Sequence, residues 1–353
     1  MTTSQTQAPI KTHRPRLFYL DLVRALAAVL IVITHFNNPF LTQHPILVNQ
    51  PFGIYIGGLG VSLFLIISGA ALMYTHDEPE HLDLRTFYWK RFKAIYPMFW
   101  VAFIIANAYL FLCHGAIVEA QAPKWSLIFS LLAVDGFLAN AAIPTFYTLG
   151  EWFLGFIIIF YIFFPLLRWG VKRFPFWTAG IALACYAITL AANLQLHGMP
   201  KDLLLTTRLP ELLFGMYFVK YIKQVPHYIG AGSIVVLALQ QIFHPLTGNI
   251  AVTVVGILFF LVLVWIAQWI NIQPVRVVVG SISKYSYPIF LVHHQVIIQV
   301  FSKLDFAHMG MANAYILFIV DFMIIMALSV LLLRLNKATL AYVRRMFVRG
   351  SAK

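Results

Sequence analysis

Charge is what this sequence lacks. Only 10% of its 353 residues are Asp, Glu, Lys or Arg, against about 25% in soluble domains, which is too few to hydrate the surface of a water-soluble fold. Acidic residues are scarcer still, 12 against 25 basic, for a formal charge of +13. In a soluble chain that excess would point to nucleic acid. In a membrane protein it follows from the retention of Lys and Arg in cytoplasmic loops, so no nucleic-acid partner is expected. Cysteine is nearly absent: Cys113 and Cys185 stand alone in apolar stretches, which excludes a disulfide framework and offers no metal spacing. What fills the chain instead is apolar, 61% hydrophobic with a mean hydropathy of +0.83. The expectation is an all-α polytopic membrane protein with the lipid bilayer as its first partner.

Strong apolar segments near residues 17–36, 52–74, 95–112, 150–168, 176–194, 203–219, 228–243, 250–270, 284–302 and 312–333 predict ten transmembrane helices. A weaker one near 126–138, interrupted by Asp135 and Gly136, predicts a short re-entrant or interfacial helix. Residues 1–16 are expected to be a disordered cytoplasmic tail, 17–334 a single transmembrane domain and 335–353 a basic cytoplasmic tail. The first apolar run lacks a small-residue cleavage site and is expected to stay in place as a signal anchor. If the N-terminus is inside and the spans alternate, 20 of the 25 basic residues fall on the inner side, and only Lys124, Lys201 and Lys303 lie outside. Eleven spans would invert everything after residue 140. The positive-inside rule therefore favours ten spans with both termini cytoplasmic.

The polar groups within these spans are few enough to take one by one. Tyr19 to Phe36 carries Asp21, Arg24 and His35. Arg24 and His35 are eleven residues apart, about 16 Å of helix rise, and eleven steps of 100° bring them to within about 20° of each other. One stripe of the first helix thus holds a cation near its inner end and an imidazole near its outer end. Glu151 heads the fourth span. Arg208 and Glu211 lie three residues apart in the sixth, His293 and His294 in the ninth, and Asp321 in the tenth. The expected arrangement is an outer layer of His35, Glu151, Arg208 and Glu211 over an inner cationic mouth of Arg24, Lys90, Arg91 and Lys93. A histidine beside a carboxylate suits general acid–base chemistry, and a cytoplasmic basic cluster suits a phosphate. Each element also has a bland reading. The basic loop is a topology marker, Arg24 snorkels or pairs with Asp21 at i,i+3, and Ser68, Tyr96 and His293 pack between helices.

Taken in order, these residues resemble the acyltransferase family 3 of integral membrane O-acyltransferases. Arg24 and His35, ten residues between them and Leu20-Asp21 before, look like that family's first-helix motif. The run from Gly60 to Ser68-Gly69 is similar to its second-helix segment. Lys90-Arg91-Phe92-Lys93-Ala94-Ile95-Tyr96-Pro97 resembles its basic stretch closing on Ile-Tyr-Pro. Leu149-Gly150-Glu151-Trp152-Phe153, Arg208-Leu209-Pro210-Glu211 and Ser286-Tyr287-Pro288 through His293 resemble its later segments. The likeness covers roughly residues 16–334. Two departures stand out. Ala94 replaces the Arg that often precedes Ile-Tyr-Pro, and Tyr147-Thr148-Leu149-Gly150-Glu151 is one residue shorter than the usual Trp-Ser-Leu-x-x-Glu.

The resemblance implies transfer of an acetyl or small acyl group from acetyl-CoA to a hydroxyl of a surface carbohydrate, with no metal. On that expectation Arg24, Lys90, Arg91, Lys93 and Tyr96 hold the CoA, and His35 is the general base with Glu151 stabilising its imidazolium. Arg208, Glu211 and His293 face the acceptor. An acyl-histidine intermediate is the alternative route. The implied partners are acyl-CoA, a carbohydrate acceptor and polysaccharide assembly proteins, and the implied location is a bacterial plasma (inner) membrane. No appended extracytoplasmic domain is expected after the last span. The competing reading is a proton-coupled secondary transporter using Asp321, Glu211 and the paired histidines. A non-catalytic partner of a polysaccharide assembly complex explains neither Arg24 nor Glu151.

Overall fold

The computed structural model describes residues 14–37, 45–78, 80–114, 122–141, 143, 149, 151–304 and 309–350. Among them the chain forms α1 (Phe18–Asn37), α2 (Ile56–His76), α3 (Leu84–His114), α4 (Leu127–Leu131), α5 (Asp135–Leu138), α6 (Trp152–Arg173), α7 (Pro175–Ala191), α8 (Leu205–Tyr217), α9 (His227–Phe243), α10 (Gly248–Ala267), α11 (Gln273–Phe301) and α12 (Met311–Gly350), and no β-strand. Each of the ten apolar segments read from the sequence is a helix. Six of them, α1, α2, α3, α6, α10 and α12, are long and apolar enough to cross a bilayer by length and composition. Helices α7 and α9 are apolar but have 17 residues each. Helix α8 has 13 and carries Arg208 and Glu211, while α11 has 29 and includes Arg276 and Lys284. The protein is a helical membrane protein.

Helix α2 is the most deeply buried of the six and packs against α1, α8 and α10. Its crossing with α8 is backbone on backbone. A Cβ added at Gly69 would lie 2.0 Å from the Leu212 carbonyl oxygen, and one at Gly215 would lie 1.9 Å from that of Ile66. Small residues let helices approach this closely where lipid, as apolar as the side chains, supplies no hydrophobic drive between them.

The C-terminal end of α2 gathers cations from several other elements. Arg168 Nε donates to the His76 carbonyl at 2.7 Å, Lys172 Nζ to that of Asp77 at 2.6 Å, and Lys220 Nζ meets the Asp77 carboxylate at 2.6 Å. Arg14 pairs with Glu78 at 2.7 Å and also donates to the Tyr74 carbonyl. Positive charge at a helix C-terminus complements the unsatisfied carbonyls and the dipole there. The ends of α2 and α6, the turn after α8 and the approach to α1 thus share one polar collar. Next to it Asp83 caps α3, taking the Thr86 amide at 3.4 Å, and Thr86 holds its carboxyl below the usual range.

Three expectations are refined. The stretch around 126–138 is two short helical pieces, α4 and α5, folded against α3 and α6. Tyr96 and Trp100 of α3 donate to the Leu132 and Leu131 carbonyls at 3.1 and 2.9 Å, and Phe137 lies against Gly155 of α6. Asp135 is buried there, accepting from Ser130 at 2.6 Å and from the Gly136 amide at 3.0 Å. The basic segment after 334 continues α12 as far as Gly350. With 40 residues, this helix runs about 60 Å, twice the roughly 30 Å of a hydrocarbon core. Of the two terminal tails, residues 1–13 and 351–353 lie outside the described residues, whereas Arg14 is tied to the collar and Arg16 to Asp21.

Candidate active site

Three imidazoles and a carboxylate from α1, α11 and the head of α6 meet in one cluster. The His35 ring lies 4.9 Å from His293 and 4.6 Å from His294, centroid to centroid. His294 Nδ1 is 2.6 Å from Glu151 Oε1. Glu151 stands at the N-cap position of α6 but makes no cap hydrogen bond, because its carboxylate turns to His294. The helix N-terminus beneath it favours its negative charge. Leu149, two residues earlier, has φ +85°, a left-handed conformation costing a leucine about 1–3 kcal/mol. Backbone strain thus sits where the chain aims Glu151.

These contacts assign the ring protons. His293 Nδ1 lies 2.8 and 3.1 Å from the carbonyls of Phe290 and Ile289, so it carries the hydrogen, and Nε2 is left as a buried acceptor without a partner among the described residues. His294 Nδ1 likewise donates, to the carboxylate, which leaves its Nε2 as the basic atom. His293 is fully buried, whereas the His294 side chain is 41% exposed. A carboxylate that orients one imidazole and favours its protonated form is the pairing acid–base catalysis uses.

Beneath the cluster lies a chamber of about 440 Å³ between α1, α2, α3, α6 and α11. Arg24, Thr75 and Arg91 line it toward the collar, Ser68, Tyr161, Ser283 and Tyr287 along its length, and Phe64, Phe153 and Phe290 toward the histidines. Asp21 accepts from Ser283 at 2.7 Å and from Arg16 at 3.0 Å, while Arg24 stands 3.7 Å away. Asp21 is thus shared, and the expected Arg24–Asp21 pair is loose. Arg91 packs over Phe87 and Tyr161 at 5.9 and 5.7 Å, and its Nε is buried without a partner among the described residues. Two cations with unspent hydrogen-bonding capacity therefore face the chamber.

The other expected residues sort differently. Lys90 and Lys93 are exposed and not on the chamber wall, Lys93 lying over Trp89 at 5.4 Å. Tyr96 is also off the wall, stacked on Phe92 and bonded to Leu132. Ala94 does line the chamber, so the missing Arg before Ile-Tyr-Pro faces this space, and Arg91 is the basic neighbour that reaches it. Arg208 and Glu211 meet each other at 3.2 Å, both buried, with Arg208 Nε on the Asp202 carbonyl at 2.8 Å. They form a pair of their own, bonded to neither His35 nor Glu151. Glu151 hydrogen-bonds His294, not His35, and His294 lies against the His35 ring. Tyr147, Thr148 and Gly150 lie outside the described residues. The residue missed from the sequence is the partner His294.

Comparison with known proteins places the chain in a family. The family described as "Acyltransferase domain" matches residues 17–334. The chain belongs to acyltransferase family 3. Among curated proteins it is similar to acyltransferase MdmB of Streptomyces mycarofaciens, 29% identical over 147 residues, covering 39% of this chain and 36% of that protein. It is also similar to putative O-acetyltransferases of Staphylococcus aureus, among them those of strains COL and MSSA476. Each is 27% identical over 328 residues, covering 79% of this chain and 50% of that protein. The chain thus spans half or less of the length of the curated relatives it matches. No solved structure matches.

Proposed function

We propose that this protein is a membrane O-acyltransferase that moves a small acyl group, acetyl first, from cytoplasmic acyl-CoA to a hydroxyl of an extracytoplasmic polysaccharide or lipid-linked sugar. The observation that carries this reading is the chamber, with Arg24 and Arg91 at one end and the Glu151–histidine cluster beyond the other. The distance from Arg24 to His35 along α1, about 16 Å, is a span for an extended thioester arm. The guanidiniums then take the phosphates of CoA, to which Arg is suited by its forked donors. Lys90 and Lys93 contribute only long-range charge.

In this mechanism His35 takes the proton of the acceptor hydroxyl as its oxygen attacks the thioester carbonyl. Glu151, holding His294 against His35, stabilises the positive charge formed. The new C–O bond forms as the C–S bond breaks, sulfur leaves with the bonding pair, and His35 returns the proton to give free CoA thiol. Family membership favours acyl transfer over the transporter reading, and bacterial relatives favour a bacterial plasma membrane.

The test uses radiolabelled acetyl-CoA added to inverted vesicles carrying wild type, Arg24→Ala or His35→Ala protein. The expected result is label in a lumenal glycan or lipid-linked sugar with wild type alone. Label retained on the protein without acceptor points to the acyl-histidine route. Folded wild-type protein that neither binds nor turns over acetyl-CoA overturns the reading and restores the transporter.

A further inference from the structure

The rings of Phe64, Phe153 and Phe290 reach the chamber from α2, α6 and α11. Phe153 touches both of the others, with centroids 5.8 and 6.0 Å apart, and Phe290 lies 6.1 Å from His293. None of His35, Glu151, His293 and His294 lines the chamber, whereas all three phenylalanines do. A ligand filling the chamber from the arginine end therefore meets the rings before it meets the acid–base groups. Beside the rings the walls are mostly aliphatic, Ile67, Leu154 and Ile157, with Ser68 and Ser286 one turn away from Phe64 and Phe290. Aromatic side chains hold such a boundary well because they are planar and have only two rotatable side-chain bonds, and here Phe153 meets Phe290 edge-to-face and Phe64 at a tilt.

We propose that the Phe64–Phe153–Phe290 partition is the acyl-length filter of this enzyme, a role that rests on the acyl-CoA reading above. A short unbranched acyl group passes the rings with the thioester carbonyl placed beside the histidines. A longer chain crowds against the rings and holds the carbonyl back on the chamber side. The filter acts on position and leaves the bond changes of the transfer as they are. Discrimination in an apolar pocket runs to roughly tenfold or more for each methylene that does not fit.

The test has two parts. Purified full-length protein is titrated with the unreactive thioethers S-ethyl-CoA and S-hexyl-CoA, and vesicles supplying their own acceptor are assayed with acetyl-, butyryl- and hexanoyl-CoA. Wild type is expected to transfer acetyl at least tenfold better than hexanoyl. Phe153→Ala and Phe290→Ala are expected to narrow that ratio tenfold or more by raising the longer donors, with a matching gain in S-hexyl-CoA affinity. Should either alanine variant fail to give a monodisperse protein, Phe153→Leu and Phe64→Leu carry the test with a smaller shift in the same direction. A ratio unchanged in folded variants, or a wild type indifferent to chain length, overturns the filter while leaving the donor assignment standing. A folded wild type that binds neither thioether overturns the donor assignment and the filter with it.

Discussion

Glu151 spends its hydrogen bond on His294 and leaves His35 facing the pair, so the carboxylate acts on a coupled set of rings. Glu151→Gln keeps an acceptor for the Nδ1 hydrogen and removes the charge. It is expected to lower kcat by about 10²–10⁴-fold, the usual contribution of a positioned acid–base system, with KM for acyl-CoA changed only a few-fold; thiol release at varied acetyl-CoA measures both. At the chamber's other end Arg91→Ala removes a charge-assisted contact of about 1.5–3 kcal/mol. KM for acyl-CoA should therefore rise at least tenfold, while Lys93→Ala, on the outside over Trp89, stays near wild type. Equal effects of the two would refute the assignment. His35 and Glu151 were legible in the sequence because a titratable group in an apolar run needs a reason to be there. His294 was not, since residues i and i+1 point about 100° apart on a helix and only one was expected to face the site. Which residue of the basic run reaches the chamber was not legible for the same reason, the helix phase of such a run being unreadable without its neighbours.

Helices, unlike their contacts, announce themselves by apolar length, and all ten expected segments are helical. The α2–α8 crossing could not be read, because nothing in the glycines of a single chain says which backbone they will touch. It makes a sharp prediction. Gly215→Ala drives a methyl group into the Ile66 carbonyl oxygen, and overpacking of this kind costs about 1–3 kcal/mol. Gly232→Ala in α9 meets no atom within 4 Å and gains about 0.5–1 kcal/mol of helix preference. Thermal unfolding in detergent should therefore shift down for the first and slightly up for the second, and similar behaviour of both would contradict the crossing. The segment around 126–138 was recognised as interrupted from Asp135 and Gly136, but its docking on Tyr96 and Trp100 of α3 needed the structure.

For the whole molecule, the count of basic residues assigned the starts and ends of distant helices to one side, and the collar brings Arg14, Arg168, Lys172 and Lys220 together around the end of α2. The ten-span arrangement can be tested with single cysteines at Lys172 and Lys201 in a chain whose Cys113 and Cys185 are replaced by alanine. An impermeant maleimide applied to intact cells should label position 201 only, and inverted vesicles should label position 172 only. Labelling of both from one side would exclude the alternation. Charge asymmetry was legible because it is a property of composition along the chain; the partners of the Arg208–Glu211 pair were not, because depth in the membrane does not say which helices are adjacent.

That pair also bears on how the chain is made. Helix α8 is only about 20 Å long and carries two charges that cost roughly 2.5–3.5 kcal/mol each when offered to lipid at a helix centre, so it is a poor candidate to enter the bilayer unaided. Its seat on α2 is synthesised long before it. During translation α2 must wait with its glycine face uncovered until α8 arrives, and biogenesis of the bundle is then a matter of timing. A delay between the two halves of the chain would leave one helix stranded at the translocon and the other exposing a groove to the membrane's quality control.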